Sequence, residues 1–144
     1  ENSHVIPGLI YRFHQAKINN SLKVTIWGTG TPRREFLYVD DMARASIHLM
    51  NIDKKIYTEN TPPMCSHVNV GSGKDLTIKE LAETIKEIVG FNGEIYFDST
   101  KPDGSPRKLL DSELISNLGF KLKTSLKEGL KKTYQNYIKF NANI

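Results

Sequence analysis

Two groups of residues in this 144-residue chain have the types and spacing for chemistry on a charged, hydroxyl-rich ligand. The first is His4, with Arg12 eight residues further on. At about 100° per residue they share one broad face of the helix that the apolar pattern predicts over Ser3 to Ile18. The second is a set of cations on stiff turns. Arg33 and Arg34 follow Gly28-Thr29-Gly30-Thr31-Pro32, and Lys101, Arg107 and Lys108 flank Pro102-Asp103-Gly104-Ser105-Pro106. A diphosphate is best held by planar guanidinium forks on rigid backbone, which singles out Arg12 and Arg34. Asp103 can accept hydrogen bonds from hydroxyls or ring N–H groups of a nucleoside.

The elements that must carry these groups alternate between helix and strand, an α/β or α+β pattern. Val24–Trp27, Glu35–Val39, His67–Val70 and Glu94–Phe97 read as strands. Asp40 is expected to cap a helix running to about Asn51, with Met42, Ala45, Leu49 and Ile52 on its inner face. Thr77-Ile-Lys-Glu80 and Ser125-Leu-Lys-Glu128 are capping boxes opening two further helices. Four short strands are few for a doubly wound sheet, so the chain reads as part of a larger α/β protein.

Several chemistries are excluded by what is missing. The dinucleotide fingerprint needs a third glycine where Arg33 follows Gly28 and Gly30, and again where Leu76 follows Gly71 and Gly73. No tyrosine is followed four residues later by lysine, so the acid pair of short-chain reductases is absent. One cysteine, Cys65, allows neither an intrachain disulfide nor a cysteine-based zinc cluster, and no metal site is expected. A reducing, cytoplasmic setting is the natural expectation. Nothing in the pattern suggests a signal peptide or a membrane span. A net charge of +4 and a pI near 9.1 favour an anionic partner. Asp40 and Asp41 read as helix-capping residues, and the lysines from Lys121 to Lys132 as a solvated helix face.

Five blocks, in order and spaced alike over nearly the whole chain, carry a resemblance. They are Asn2-Ser-His-Val-Ile-Pro-Gly-Leu-Ile-Tyr-Arg-Phe-His14, Trp27-Gly-Thr-Gly-Thr-Pro-Arg-Arg-Glu-Phe-Leu-Tyr-Val-Asp-Asp-Met-Ala43, Glu59-Asn-Thr-Pro-Pro-Met64, His67-Val-Asn-Val-Gly71 and Lys101-Pro-Asp-Gly-Ser-Pro-Arg-Lys-Leu-Leu-Asp111. Together they resemble the GDP-L-fucose synthase family, within the extended short-chain dehydrogenase/reductases. The resemblance implies an α/β chain, residues 1–144, forming the C-terminal substrate-binding part of a Rossmann-like enzyme, with most of the Rossmann lobe absent. Residues 38–73 would pack on that missing nucleotide-binding lobe, leaving Met42, Ala45, Leu49 and Ile52 without a partner and the 67–70 strand without sheet neighbours.

It further implies an NADPH-dependent 3,5-epimerase/4-reductase acting on a GDP-4-keto-6-deoxy sugar, with NADP(H) bound mainly by the N-terminal half and a homodimeric full-length protein. His4 matches the family's catalytic histidine, which also lies near the cofactor. An unperturbed pKa near ~6.5 suits proton transfer in both directions. Arg12, Trp27, Arg34, Asp103 and Lys108 match substrate-binding positions. Cys65 matches none. The alternatives are the substrate-binding part of another sugar-nucleotide epimerase or dehydratase, and a non-enzymatic basic module. A nucleic-acid module would interleave aromatics and lysines on one face, which this sequence does not do.

Overall fold

The computed structural model describes residues 4–141. The chain builds two compact units, each from separated stretches. The first takes the residues up to Arg34, Leu76–Arg107 and those from Lys127 on; the second takes Glu35–Asp75 and Lys108–Leu126.

In the first unit, helix α1 spans Val5–Ile18 and buries Leu9, Ile10, Phe13 and Ala16, an i, i+4 stripe with its i+7 neighbours. Strands β1 (Lys23–Trp27) and β4 (Glu94–Asp98) pair in parallel, with Lys23 opposite Glu94 and Trp27 opposite Asp98. Their alternation puts Val24 and Ile26 inside and leaves Trp27 exposed. Helix α4 (Ile78–Val89) opens on a complete capping box. Thr77 Oγ1 accepts from the Glu80 N–H, and Glu80 Oε2 accepts from the Thr77 N–H. Helix α1 packs on α4 and on β1. The Lys17 ammonium donates to the Val89 carbonyl at 2.7 Å, a cation at a helix C-terminus. Helix α6 (Leu126–Asn141) starts where the second Ser-x-x-Glu pattern predicts and buries Leu130 and Tyr134. His14 Nδ1 and Tyr134 Oη share a 3.1 Å hydrogen bond between α1 and α6. Burial, and then the neighbouring Tyr137, raise the Tyr134 phenol above its usual 10.0.

The second unit holds α2 (Val39–Met50), α3 (Lys54–Asn60) and α5 (Glu113–Asn117). Its core is Ala45, Ile115 and Phe120, with Leu49, Val68 and Val70 packed against them. Three short strands, β2 (Arg33–Glu35), β3 (Asp75–Thr77) and β5 (Arg107–Lys108), form a sheet in the order β3-β2-β5. The chain passes from one unit to the other within these strands.

The differences from the sequence reading have physical causes. Helix α1 begins at Val5, so His4 is its N-cap residue and does not share a helical face with Arg12. The strand expected over Glu35–Val39 is displaced: only Glu35 belongs to β2, and helix begins at Val39 after an extended Tyr38. Residues 67–70 are not a strand. Val68 and Val70 instead pack on the Ala45 cluster, and the Asn69 amide donates to the Asp111 carbonyl at 3.0 Å. Helix α3 was not expected, although its N-cap Asp53 accepts from the N–H groups of Lys55 and Ile56.

The inner face of α2 also differs. Ala45 is fully buried and Leu49 packs beside it, both covered by Ile115 and Phe120 of the chain itself. Met42 stays exposed. Asp41 is no cap but the centre of this arrangement. It is 1% exposed, accepts from the backbone N–H groups of Thr124 (2.9 Å) and Lys123 (3.2 Å), and pairs with Arg44. Burial pushes its carboxyl up, but the Thr124 and Lys123 N–H groups and the Arg44 charge outweigh that and hold it below its usual 3.8.

A carboxylate so depressed binds its proton less readily folded than unfolded. Its stabilisation is therefore present above pH 3.8 and is lost as pH falls through the folded pKa. Asp41→Ala leaves two backbone donors and Arg44 without their acceptor and should cost about 3 kcal/mol or more. Urea unfolding at pH 7 followed by far-UV circular dichroism, with hydrogen exchange at the Lys123 and Thr124 amides, measures it.

Candidate functional site

The site candidates of the first unit gather where β1 ends. In parallel α/β sheets ligands collect beyond the carboxyl ends of the strands. Here those ends are Trp27 and Asp98, and the ladder runs one bond further, from the Gly28 N–H to the Asp98 carbonyl at 2.9 Å. Trp27 is 65% exposed, with the Lys101 ammonium 5.7 Å from its ring centre. Arg12 Nη1 donates to the Thr25 carbonyl at 3.3 Å, two residues before Trp27 on the same strand. An exposed indole with a cation beside it suits an aromatic base that carries phosphate.

The loop between β4 and β5 lies across the 27–34 turn. Asp98 begins it, accepting from the hydroxyl (2.6 Å) and N–H (3.1 Å) of Thr100. The Thr100 hydroxyl is the main reason the Asp98 carboxyl lies below its usual 3.8. Asp103 follows, its Oδ1 accepting from the Thr29 N–H (2.9 Å) and its Oδ2 from the Thr29 hydroxyl (2.6 Å). Arg34 Nη1 donates to the carbonyls of Arg33 and Ser105, both at 2.7 Å, which fixes the plane of its guanidinium. The Arg33 N–H donates to the Pro106 carbonyl at 2.8 Å.

Of the residues expected at a site, Arg12, Trp27, Arg34 and Asp103 thus all lie in the first unit, tied to β1 or to the turn after it. His4 stands at the start of α1, its carbonyl accepting from the Gly8 N–H at 3.0 Å. Lys108 is exposed on β5 in the second unit. Two participants were not singled out in the sequence. Thr29 had no signal beyond being a hydroxyl beside a glycine, and Lys101 was one cation among several.

Neither glycine turn fits a dinucleotide. Gly28 has φ +85°, and a Cβ there would lie 2.3 Å from Asp103 Oδ1. A Cβ on Gly71 would lie 2.5 Å from Glu35 Oε1, which accepts from the Gly73 N–H at 2.6 Å. The room a pyrophosphate would need is filled in both turns by the chain's own carboxylate, and the first turn leads into a strand rather than a helix N-terminus. The described residues therefore do not fit NADP(H) as its phosphate cradle. Among them, no cluster of His, Cys, Asp or Glu side chains could hold a metal, and no helix is long and apolar enough to cross a membrane.

Comparison with known proteins places this architecture. Residues 1–71 match the family model of the NAD dependent epimerase/dehydratase family. The chain is 56% identical to a GDP-L-fucose synthase of Escherichia coli K12 over 93% of its own length and 42% of that protein's. It is 55% identical to a probable GDP-L-fucose synthase of Oryza sativa subsp. japonica over 96% of its length and 39% of that protein's. Among solved structures, a GDP-mannoheptose C4 reductase from Campylobacter jejuni with NADP bound superposes with a TM-score of 0.80 at 39% identity, over 95% of this chain and 45% of that one. The chain belongs to the NAD dependent epimerase/dehydratase family of extended short-chain dehydrogenase/reductases, and within it to the sequences like GDP-L-fucose synthase. It spans about two fifths of the length of the curated relatives it matches.

Gly28→Ala tests the turn. The φ of +85° and the Asp103 carboxylate both oppose a methyl group, so the substitution should destabilise by more than about 1 kcal/mol. Thermal unfolding followed through Trp27, the chain's one tryptophan, reads the effect at the site itself.

Proposed function

We propose that this chain is the C-terminal, substrate-binding part of an NADPH-dependent GDP-4-keto-6-deoxy-D-mannose 3,5-epimerase/4-reductase. The observation that carries the reading is the exposed indole of Trp27 beside Lys101 at the carboxyl end of β1, with Arg12 held on the Thr25 carbonyl of the same strand, in a chain 56% identical to a GDP-L-fucose synthase. Trp27 offers a flat surface to guanine or a sugar. Arg12 and Arg34 hold the diphosphate, and Asp103 and Lys108 make further contacts with the GDP-sugar. Asp103 already accepts from Thr29 at both oxygens, but a carboxylate has about four acceptor sites and can still receive a nucleoside hydroxyl.

His4 is one of the proton donors or acceptors of the epimerisations. A ketone at C4 acidifies the hydrogens on C3 and C5. Removing one leaves an enediolate, and a proton delivered to the opposite face by a second acid/base group, from the N-terminal half of the full-length protein, inverts that carbon. An imidazole can serve in either direction at neutral pH. His4 is also the residue assigned to the neighbourhood of the cofactor. The reduction at C4 belongs to NADP(H), held by residues of the full-length protein outside those described.

Residues 38–73 are proposed to pack on that nucleotide-binding lobe. In support, α2 leaves Val39, Met42, Ile47 and Met50 between 42% and 84% exposed. Residues 108–126 join them through Asp41, so the segment associated with the lobe is larger than the sequence alone suggested.

Titrating GDP, UDP and dTDP against Trp27 fluorescence tests the reading. GDP should bind tightest, and preference for UDP or dTDP would assign the chain to a different sugar-nucleotide enzyme. Arg12→Ala and Arg34→Ala should each weaken GDP by about 1.5–3 kcal/mol. Arg34→Lys should recover only part of that, because an ammonium lacks the fork. In the full-length protein, His4→Asn should suppress solvent-deuterium incorporation at C3 and C5 while NADPH binding persists. Undiminished incorporation would remove His4 from the mechanism.

A further inference from the structure

We propose that Thr29 is a positioning residue for nucleoside-diphosphate binding, acting through Asp103. This rests on the reading above that the end of β1 is the nucleotide site.

The hydrogen-bond directions around Thr29 are fixed by valence. An ionised Asp103 can only accept, so the single hydroxyl proton of Thr29 points to Asp103 Oδ2 at 2.6 Å. Thr29 Oγ1 lies 2.7 Å from Thr31 Oγ1, and having given its own proton to Asp103 it must accept there. It also accepts from the Thr31 N–H at 3.2 Å. Two donors thus feed one hydroxyl, which polarises it toward the carboxylate. The Thr29 N–H completes a two-point clasp on Asp103 at 2.9 Å. Only a glycine at position 28 leaves room for the carboxylate to arrive.

The consequence lies in what the clasped loop carries. Residues 101–108 are exposed throughout, so no buried side chain pins this stretch. Yet Lys101 stands over Trp27, and the Ser105 carbonyl fixes the Arg34 guanidinium. Gly104 passes so near Arg34 that a Cβ there would sit 3.1 Å from Nη2. The clasp on Asp103 lies midway between these two contacts. A carboxylate among Lys101 and Arg34 also relieves the repulsion between two cations that a diphosphate would later meet. Thr29 therefore sets the geometry of the anion site without touching the anion.

The test is GDP binding to this chain, read from Trp27 fluorescence, in Thr29→Val, Thr29→Ser, Asp103→Asn and the Thr29→Val/Asp103→Asn double variant. Tryptic cleavage after Arg107 and Lys108 is followed in parallel without ligand, and thermal unfolding checks that each variant folds. Thr29→Val should weaken GDP about tenfold and speed cleavage of the loop, because a hydrogen bond to a charged acceptor is lost. Thr29→Ser should bind within about twofold of the parent, since serine keeps the hydroxyl. The double variant should bind no worse than Asp103→Asn alone.

Parent-like binding by Thr29→Val would overturn the proposal and leave the nucleotide site standing. So would a double variant whose loss is the sum of the two singles, since Asp103 would then act on the ligand without Thr29. A parent chain that binds no nucleoside diphosphate overturns the site reading and this proposal together, and faster cleavage of Thr29→Val would then mark the clasp as structural only.

Discussion

A carboxylate removed from water has to be met by donors, and the Asp41 carboxylate meets that demand with backbone from more than eighty residues away. The Lys123 and Thr124 N–H groups and the Arg44 guanidinium converge on it. The cluster on α2 is arranged around that convergence. The convergence brings the segment around α5 to α2, where Ile115 and Phe120 close over Ala45. The Arg44 guanidinium, drawn to Asp41, also lies 5.3 Å from the Phe120 ring centre and donates to the Lys121 carbonyl. Glu35 works the same way, accepting from the Gly73 and Leu110 N–H groups and from the Ser72 hydroxyl. With so little regular sheet, charge-assisted bonds to backbone take the place that strand ladders hold elsewhere.

A glycine turn in each unit shows the same device. Asp103 on Thr29 and Glu35 on Gly73 are both carboxylates received by a glycine turn. Turns of this kind offer N–H groups to anions in many proteins. Here each is closed by an anion of its own chain. That accounts for two failed dinucleotide fingerprints in a chain whose family is defined by dinucleotide use. The turns have the backbone habit of an anion cradle and use it for loop anchoring.

What could be read from sequence was what local chemistry decides. The stripe of α1, the Thr77–Glu80 capping box, the alternation of β1 and β4 and the start of α6 each depend on residues within a few positions of one another. The misread segments depend on distant partners. Val68 and Val70 alternate as a strand would, but their neighbours are Ile115 and Phe120 rather than a ladder. Two adjacent acids at a helix start look like capping residues, but the N-cap of α2 is Tyr38 and no side chain caps it: Asp40 lies exposed inside the first turn, and Asp41 is taken by Lys123 and Thr124. At the site, arginines, an indole and an acid on a stiff turn were legible by type. Thr29 was not, because its role exists only once Asp103, 74 residues away, lies across the turn.

The interleaving of the two units sets the order in which this chain can be completed as it is made. Helix α2 leaves the ribosome long before the residues that cover it, since the backbone groups bound by Asp41 come 82 and 83 positions later. In that interval Ala45 and a buried-to-be carboxylate stand open together. The first unit waits longer still, because Leu130 and Tyr134 of α6 complete a core that begins with Leu9 and Phe13. The second unit is therefore finished before α6 completes the first, and until Lys123 and Thr124 arrive neither is closed. Contacts of such sequence separation form slowly, so the exposed intermediates fall within reach of chaperones and of other nascent copies.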